Sequence, residues 1–182
     1  MTTRLAVGVI CAFLPLAAWA VEEPGGYRME EFRDPVPDTL SGATVVGPED
    51  AHDLWETGNV AFVDVLPQAP KPAGLPEGTL WRDKKRNSIP GAIWLPNVGY
   101  GALADSYHAY FQAGLEKVTG GDRDHPVLFF CLENCWMSWN AAKRALEYGY
   151  SSVYWLPEGT DGWALWDYPL AEVKAEPEPG AE

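Results

Sequence analysis

The stretch Val127-Leu-Phe-Phe-Cys131-Leu-Glu-Asn-Cys135-Trp136-Met-Ser-Trp-Asn-Ala-Ala-Lys-Arg-Ala-Leu146 constrains the fold more than any other part of the chain. Val127 to Phe130 is apolar without a polar alternation, which predicts a short strand buried on both faces. Further on, Ala141, Ala142, Ala145 and Leu146 recur at helical spacing, with Lys143, Arg144 and Glu147 left for the solvent side. Two cysteines therefore stand at the ends of a tight loop that joins a strand to a helix. A thiol in that position faces the free N–H groups and positive dipole end of the helix, which favour thiolate over thiol. It is also the end of an α/β sheet where ligands and chemistry gather.

Other segments alternate in the same way. Thr44 to Val46 reads as a first strand, and Pro48 to Thr57 as a helix that opens on Pro-Glu-Asp and stops at Gly58. Val60 to Val65 reads as a buried strand ending near Asp64. Residues 66–90 form a long loop rich in Pro and Gly, Ala92 to Leu95 a strand, and Asp105 to Val118 a helix halted by Gly120-Gly121. Ser152 to Trp155 and a short helix around Asp161 to Trp166 close the series. Strands alternating with helices predict a single α/β domain over residues 44–170, with a mostly parallel twisted sheet and helices on both faces.

The ends read differently. Arg4, the apolar run Leu5 to Leu16, and Ala18-Trp19-Ala20 predict a cleaved signal peptide over residues 1–20, with the mature chain starting at Val21. The apolar run is too short for a membrane span, and Val9-Ile10 before Cys11 lacks the small residues of a lipoprotein site. Residues 21–43 carry Pro24, Gly25, Gly26, Pro35 and Pro37 and predict an extended arm, pinned to the body by Tyr27, Met29 and Phe32. Residues 171–182 predict an acidic, disordered tail.

Loss of residues 1–20 removes one of the 13 basic residues and none of the 26 acidic ones, leaving a net charge of −14. So acidic a chain does not bind nucleic acid or anionic membrane non-specifically. Of the three cysteines, Cys131 and Cys135 alone remain after cleavage, too few for a disulfide framework.

The order of motifs resembles the rhodanese (sulfurtransferase) family. Val63-Asp64-Val65, Ile89-Pro90-Gly91-Ala92 with Leu95-Pro96, and Phe130-Cys131 with Ser138 and Ala141-Ala142 match three of its segments. Gly149-Tyr150 with Val153-Tyr154, then Gly159, Trp163 and Tyr168-Pro169, match its last third. The resemblance implies a cysteine able to carry sulfur as a persulfide. The family's usual loop, Cys-x-x-Gly-x-Arg, is replaced by Leu132-Glu133-Asn134-Cys135-Trp136, which has no arginine and contains a carboxylate. That carboxylate opposes thiolate formation and repels thiosulfate. The family's Arg after the early Asp is Leu66, and its His before Ile-Pro-Gly-Ala is Ser88. Ordinary thiosulfate:cyanide sulfurtransferase activity is therefore not expected.

The loop with Met137-Ser138-Trp139-Asn140 behind it is similar to a narrower group, the secreted rhodanese-like proteins with a Cys-x-x-Cys-Trp (CXXCW) motif associated with pyrroloquinoline-quinone (PQQ)-dependent alcohol catabolism. Here three residues separate the cysteines instead of two. This resemblance implies a periplasmic accessory whose partner is a quinoprotein dehydrogenase or a c-type cytochrome.

The candidate site is accordingly Cys131 and Cys135, lined by Leu132, Glu133, Asn134, Trp136, Ser138 and Asp64. Cys131, at the strand end, is expected to be the nucleophile, and Cys135, toward Trp136 and the packed side, the resolving thiol. Placed i and i+4 in the first turn of a helix, they would have Cα atoms about 6 Å apart, within disulfide reach. The pair can thus be a redox-active dithiol, a static bridge, or two thiolates for Cu(I) with Met137 as a further ligand. His125 falls at the far end of the strand, and His52 and His108 read as helix-surface residues. Arg82, Lys84, Lys85 and Arg86 crowd one short window before Ile89-Pro90. They either replace the missing loop arginine or form a solvated loop. Trp136, Trp139, Trp155, Trp163 and Trp166 wall the site or, for the most part, pack the core.

Overall fold

The computed structural model describes residues 21–69, 72, 74–80, 82 and 84–178. The leader and its cleavage site fall outside the described residues. Five parallel strands make the central sheet: β1 (Thr44–Val45), β2 (Ala61–Asp64), β4 (Ile93–Trp94), β5 (Val127–Phe130) and β6 (Val153–Leu156), in the spatial order β1-β6-β5-β2-β4. The apolar run Val127–Phe130 is the middle strand and is buried at every position, as a strand covered on both faces must be. Parallel neighbours need crossovers: the helices α1 (Pro48–Thr57), α2 (Asp105–Thr119) and α3 (Trp136–Glu147) supply three of them, and α4 (Gly159–Leu165) follows the last strand of the sheet. Gly58 and Gly120 close α1 and α2 in the left-handed conformation, at φ 66° and 63°.

Two apolar cores flank the sheet. One gathers Val63, Phe129, Trp155 and the inner sides of α2 and α3, with Phe111, Leu115, Trp139 and Ala142. The other gathers Phe62, Leu128 and Phe130 with Ala51 of α1 and Trp163 of α4. Alternate residues of β5 thus serve opposite cores, and helices cover both faces.

Three sequence expectations are corrected. The loop 66–90 contains a strand, β3 (Arg86–Ser88). The expected disordered tail supplies its partner β7 (Ala171–Val173), antiparallel to β3, and continues along the sheet edge with Ala175 bridged to Trp94. The Glu176 N–H donates to the Trp94 carbonyl at 2.9 Å, and Lys117 pairs with the Glu176 carboxylate at 2.7 Å. A two-residue edge strand leaves backbone groups that need partners, and basic side chains neutralise the acids that supply them. Finally, the cysteines precede α3 instead of lying in its first turn: Cys135 is its N-cap, in extended conformation.

The arm lies across α3. The Trp136 N–H donates to the Phe32 carbonyl at 3.0 Å, and the Trp136 and Trp139 indoles donate to the Pro35 and Thr39 carbonyls, each at 3.1 Å. Tyr27 bonds Glu147 and lies under the Arg144 guanidinium, 4.2 Å from its ring centroid; Arg144, expected on the solvent side, is instead buried and donates to the Val98, Tyr100 and Gly101 carbonyls. Phe32 packs against the core, whereas Met29 is 61% exposed.

Candidate functional site

Asp64 ends β2 and Phe130 ends β5 in the same register, so the acid and the cysteine loop meet at the C-terminal edge of the sheet. Cys131 and Cys135 form a disulfide with Cα atoms 6.2 Å apart. Between them Leu132 is half-buried, Glu133 is exposed, and Asn134 turns the chain at φ 50°, a conformation asparagine tolerates better than most residues.

Both ends of the loop are clamped through backbone groups. The Cys131 carbonyl accepts from Arg86 Nη2 at 3.2 Å, from the Thr160 N–H at 3.1 Å and from Thr160 Oγ1 at 3.3 Å. The Cys135 carbonyl accepts from the Ser138 hydroxyl at 3.0 Å, and the Trp155 indole in turn donates to Ser138 Oγ at 3.0 Å. Gly159 fits at φ 52° because a Cβ there would lie 2.5 Å from the Cys131 carbonyl oxygen. The start of α4 is thereby pressed onto the strand end.

Beneath the loop lies a buried ion pair. Arg86 Nε donates to Asp64 Oδ2 at 2.6 Å, the Ser88 hydroxyl donates to the same oxygen at 2.6 Å, and the Leu66 N–H donates to Oδ1 at 2.9 Å. Burial pushes the Asp64 carboxyl up, while Arg86 and the Ser88 and Leu66 donors pull it back down. Above the loop, the Glu133 N–H donates to Asp161 at 3.0 Å, so two carboxylates stand beside the cysteine pair.

The basic window divides. Arg82, Lys84 and Lys85 are exposed, with Lys85 on Glu172 at 2.6 Å, and Arg86 alone turns inward to the loop. Trp136, Trp139, Trp155 and Trp163 are buried in the cores, and Trp166 is half exposed. His125 lines a cavity with Val60 and Gly91 at the far end of the sheet. His108 bonds the Tyr148 hydroxyl, and His52 stacks on Tyr168.

The surroundings of the two cysteines differ. Cys131 is fully buried, with 0% exposure, and Cys135 is 2% exposed. A cavity of about 290 Å³, lined by Phe32, Leu66, Tyr100, Leu132 and Met137 among others, reaches Cys135 but not Cys131. The residue expected to lie on the packed side is therefore the one at the mouth. Thr160, Asp161, Tyr100 and Leu66 were not among the sequence candidates. For Thr160 the available signal was its position after Gly159, at the exit of the last sheet strand, and for Leu66 it was its place where the family carries an Arg after the early Asp; for Tyr100 none was legible.

Comparisons with known proteins agree on the fold. A family model described as a rhodanese-like domain matches residues 47–165. No curated protein matches the chain. Among solved structures, the chain is similar to the polysulfide-sulfur transferase homodimer from Wolinella succinogenes, with 19% identity over 72% of this chain and 80% of that one and a TM-score of 0.48. It is similar to a thiosulfate sulfurtransferase from Pseudomonas aeruginosa, with 16% identity over 74% of this chain and 21% of that one and a TM-score of 0.48. It is also similar to YnjE, with 21% identity over 75% of this chain and 34% of that one and a TM-score of 0.50. At these identities the likeness shows the fold alone.

Proposed function

The chain belongs to the rhodanese-like domain family, and we propose that its Cys131–Cys135 pair does thiol–disulfide or sulfur-carrier work on a protein partner. The carrying observation is the clamped pair at the C-terminal edge of the parallel sheet. The hydrogen bonds that hold the Cys131 and Cys135 carbonyls involve no sulfur atom, so they persist when the bridge is reduced. Two thiols kept at that separation re-form the bridge without loop reorganisation. In the redox form of this work, a partner dithiol gives two electrons and two protons to the bridge, leaving two protein thiols and a partner disulfide. In the sulfur-carrier form, a persulfide on one cysteine is attacked by the other thiol, and hydrogen sulfide leaves as the bridge closes.

The setting we propose is the periplasm, beside a quinoprotein dehydrogenase or a c-type cytochrome of PQQ-dependent alcohol oxidation. The supports are the leader sequence Arg4 to Ala20 and the likeness of the loop to the CXXCW group. The test is the oxidation state of the pair in protein isolated from the periplasm, with a redox titration against dithiothreitol. We expect a mature chain starting at Val21 and a bridge that cycles reversibly. A bridge that stays closed down to about −300 mV, the range of structural disulfides, overturns the redox reading.

One observation favours a second reading. Met137 lines the same cavity as Cys135, so reduction would put a thioether beside a thiolate, a donor set suited to Cu(I). In that case the reduced protein takes up about one Cu(I) per chain, and Cys131→Ser or Cys135→Ser abolishes tight binding. Uptake equal to that of the double Cys→Ser variant removes this reading.

A further inference from the structure

We infer, resting on the redox reading of the pair, that an incoming thiolate attacks the sulfur of Cys135 and that Cys131 is the leaving thiol. We infer as well that the natural attacker is a cysteine of a protein dithiol flanked by apolar side chains. Thiol–disulfide exchange is an in-line displacement, so the sulfur attacked is the one that can be approached. The start of α4 roofs Cys131: Gly159 stands where a Cβ would touch the Cys131 carbonyl oxygen, and Thr160 bonds that oxygen twice. Both cysteines border the core that includes Val65, Phe129 and Trp155, and Cys131 is the one with no exposure.

Cys135 meets the cavity instead. It is also the N-cap of α3, a helix of 12 residues, whose positive dipole end favours a thiolate once the bridge is open.

The attacking sulfur bonds Cys135 Sγ, the Sγ–Sγ bond breaks, and its electron pair leaves on Cys131, which then takes a proton. A second thiol of the partner attacks the partner sulfur of the mixed disulfide. The partner disulfide forms and Cys135 leaves as thiolate. The bridge is the oxidant and the partner dithiol the reductant.

The walls of the cavity select the attacker. Phe32, Leu66, Tyr100, Leu132 and Met137 are apolar or aromatic, and Phe32 and Tyr100 meet edge to face with centroids 5.4 Å apart. Among the described residues, Arg33 alone is charged on the lining. A small anionic thiol would have to shed water from its charges to enter such walls. A cysteine between apolar side chains gains from the same burial. Tyr100 and Pro67 also line a second cavity of about 740 Å³ along the N-terminal turn of α2, with Gln68, Asn97 and Glu178 on its walls, which gives room beside the first for residues flanking the cysteine.

The experiment has two arms on the full-length mature protein. In the first, oxidised protein is treated with 2-mercaptoethanol, quenched in acid, and peptide-mapped for the mixed disulfide. The reduced Cys131→Ser and Cys135→Ser variants are also reacted with 4,4′-dithiodipyridine near pH 7. We expect the mixed disulfide on Cys135, and faster reaction of Cys131→Ser than of Cys135→Ser, because exchange rates depend on access to the thiol. Because the mapping uses the unmutated chain, a variant that fails to fold does not blunt the test. A mixed disulfide on Cys131, or a faster Cys135→Ser variant, overturns the assignment.

The second arm compares reduction of the bridge by acetyl-Leu-Cys-Leu-amide and acetyl-Gly-Cys-Gly-amide. The apolar peptide is expected to be faster by about tenfold, in line with burying one or two side chains, and Tyr100→Ala is expected to narrow the difference. Equal rates overturn the partner class. If dithiothreitol itself cannot open the bridge, the redox reading fails first, and that failure is distinct from exchange through the wrong sulfur.

Discussion

Asp64 and Arg86 show how single residues stand in for a missing motif. The loop lacks an arginine, yet a guanidinium reaches it from β3: Arg86 spans from Asp64 to the Cys131 carbonyl. A buried pair of this kind is worth little against an apolar replacement, but losing one member strands the other charge. Arg86→Gln should therefore cost about 3–5 kcal/mol in denaturant unfolding. The reduced variant should also re-form the bridge more slowly on reoxidation, since one of the donors on the Cys131 carbonyl is gone. A loss under about 1 kcal/mol would mean that Asp64 is neutral and satisfied by Ser88 and Leu66 alone.

Among the elements, the arm is the piece that most shapes the site without belonging to the sheet. It contributes Phe32 to the cavity over Cys135 and caps the first N–H of α3. Its start is latched by Glu23, which accepts from the Thr39 hydroxyl and from the Ser41 N–H at 2.9 Å. Those two bonds hold the Glu23 carboxyl below its ordinary value of 4.5. An acid whose folded value is depressed adds stability that is fully present above the ordinary value and is lost as pH falls through the folded one. Amide exchange in residues 21–41 should therefore accelerate as pH falls below 4.5 and on through the depressed folded value, and Glu23→Gln should remove that step. Exchange in the arm that is flat with pH, after correction for intrinsic rates, would show that the latch contributes nothing.

At the scale of the whole molecule, charge decides which sulfur donors approach. The full chain carries −13, and Glu133 and Asp161 add two carboxylates beside the cysteine loop. Thiosulfate is a dianion, and both the long-range field and the local carboxylates act against it. Thiosulfate:cyanide turnover should be no higher than that of the Cys131→Ser variant at low ionic strength. Robust turnover that depends on Cys131 would show that Arg86 and the helix N-terminus outweigh the acids.

The sequence by itself determined the architecture. A strand buried on both faces, Val127–Phe130, must sit mid-sheet with helices on each side, and its apolar length already states this. The helices of Pro48–Thr57 and Asp105–Thr119 were legible from their periodicity and the glycines that stop them. The cysteine pair was legible because two thiols at a strand–helix junction are local in sequence, and local spacing fixes their separation. What the tertiary structure decided are the contacts whose partners lie far apart along the chain. Arg86 on Asp64 spans 22 residues and on the Cys131 carbonyl 45; Trp136 on Pro35 spans 101. No periodicity encodes such pairs. The acidic end of the chain reads as unstructured by composition, yet β7 forms because the sheet edge offers unpaired backbone groups and Lys85 and Lys117 neutralise Glu172 and Glu176. Which sulfur faces the cavity was decided last, by where the start of α4 and the arm come to rest over a loop whose sequence treats its two cysteines almost alike.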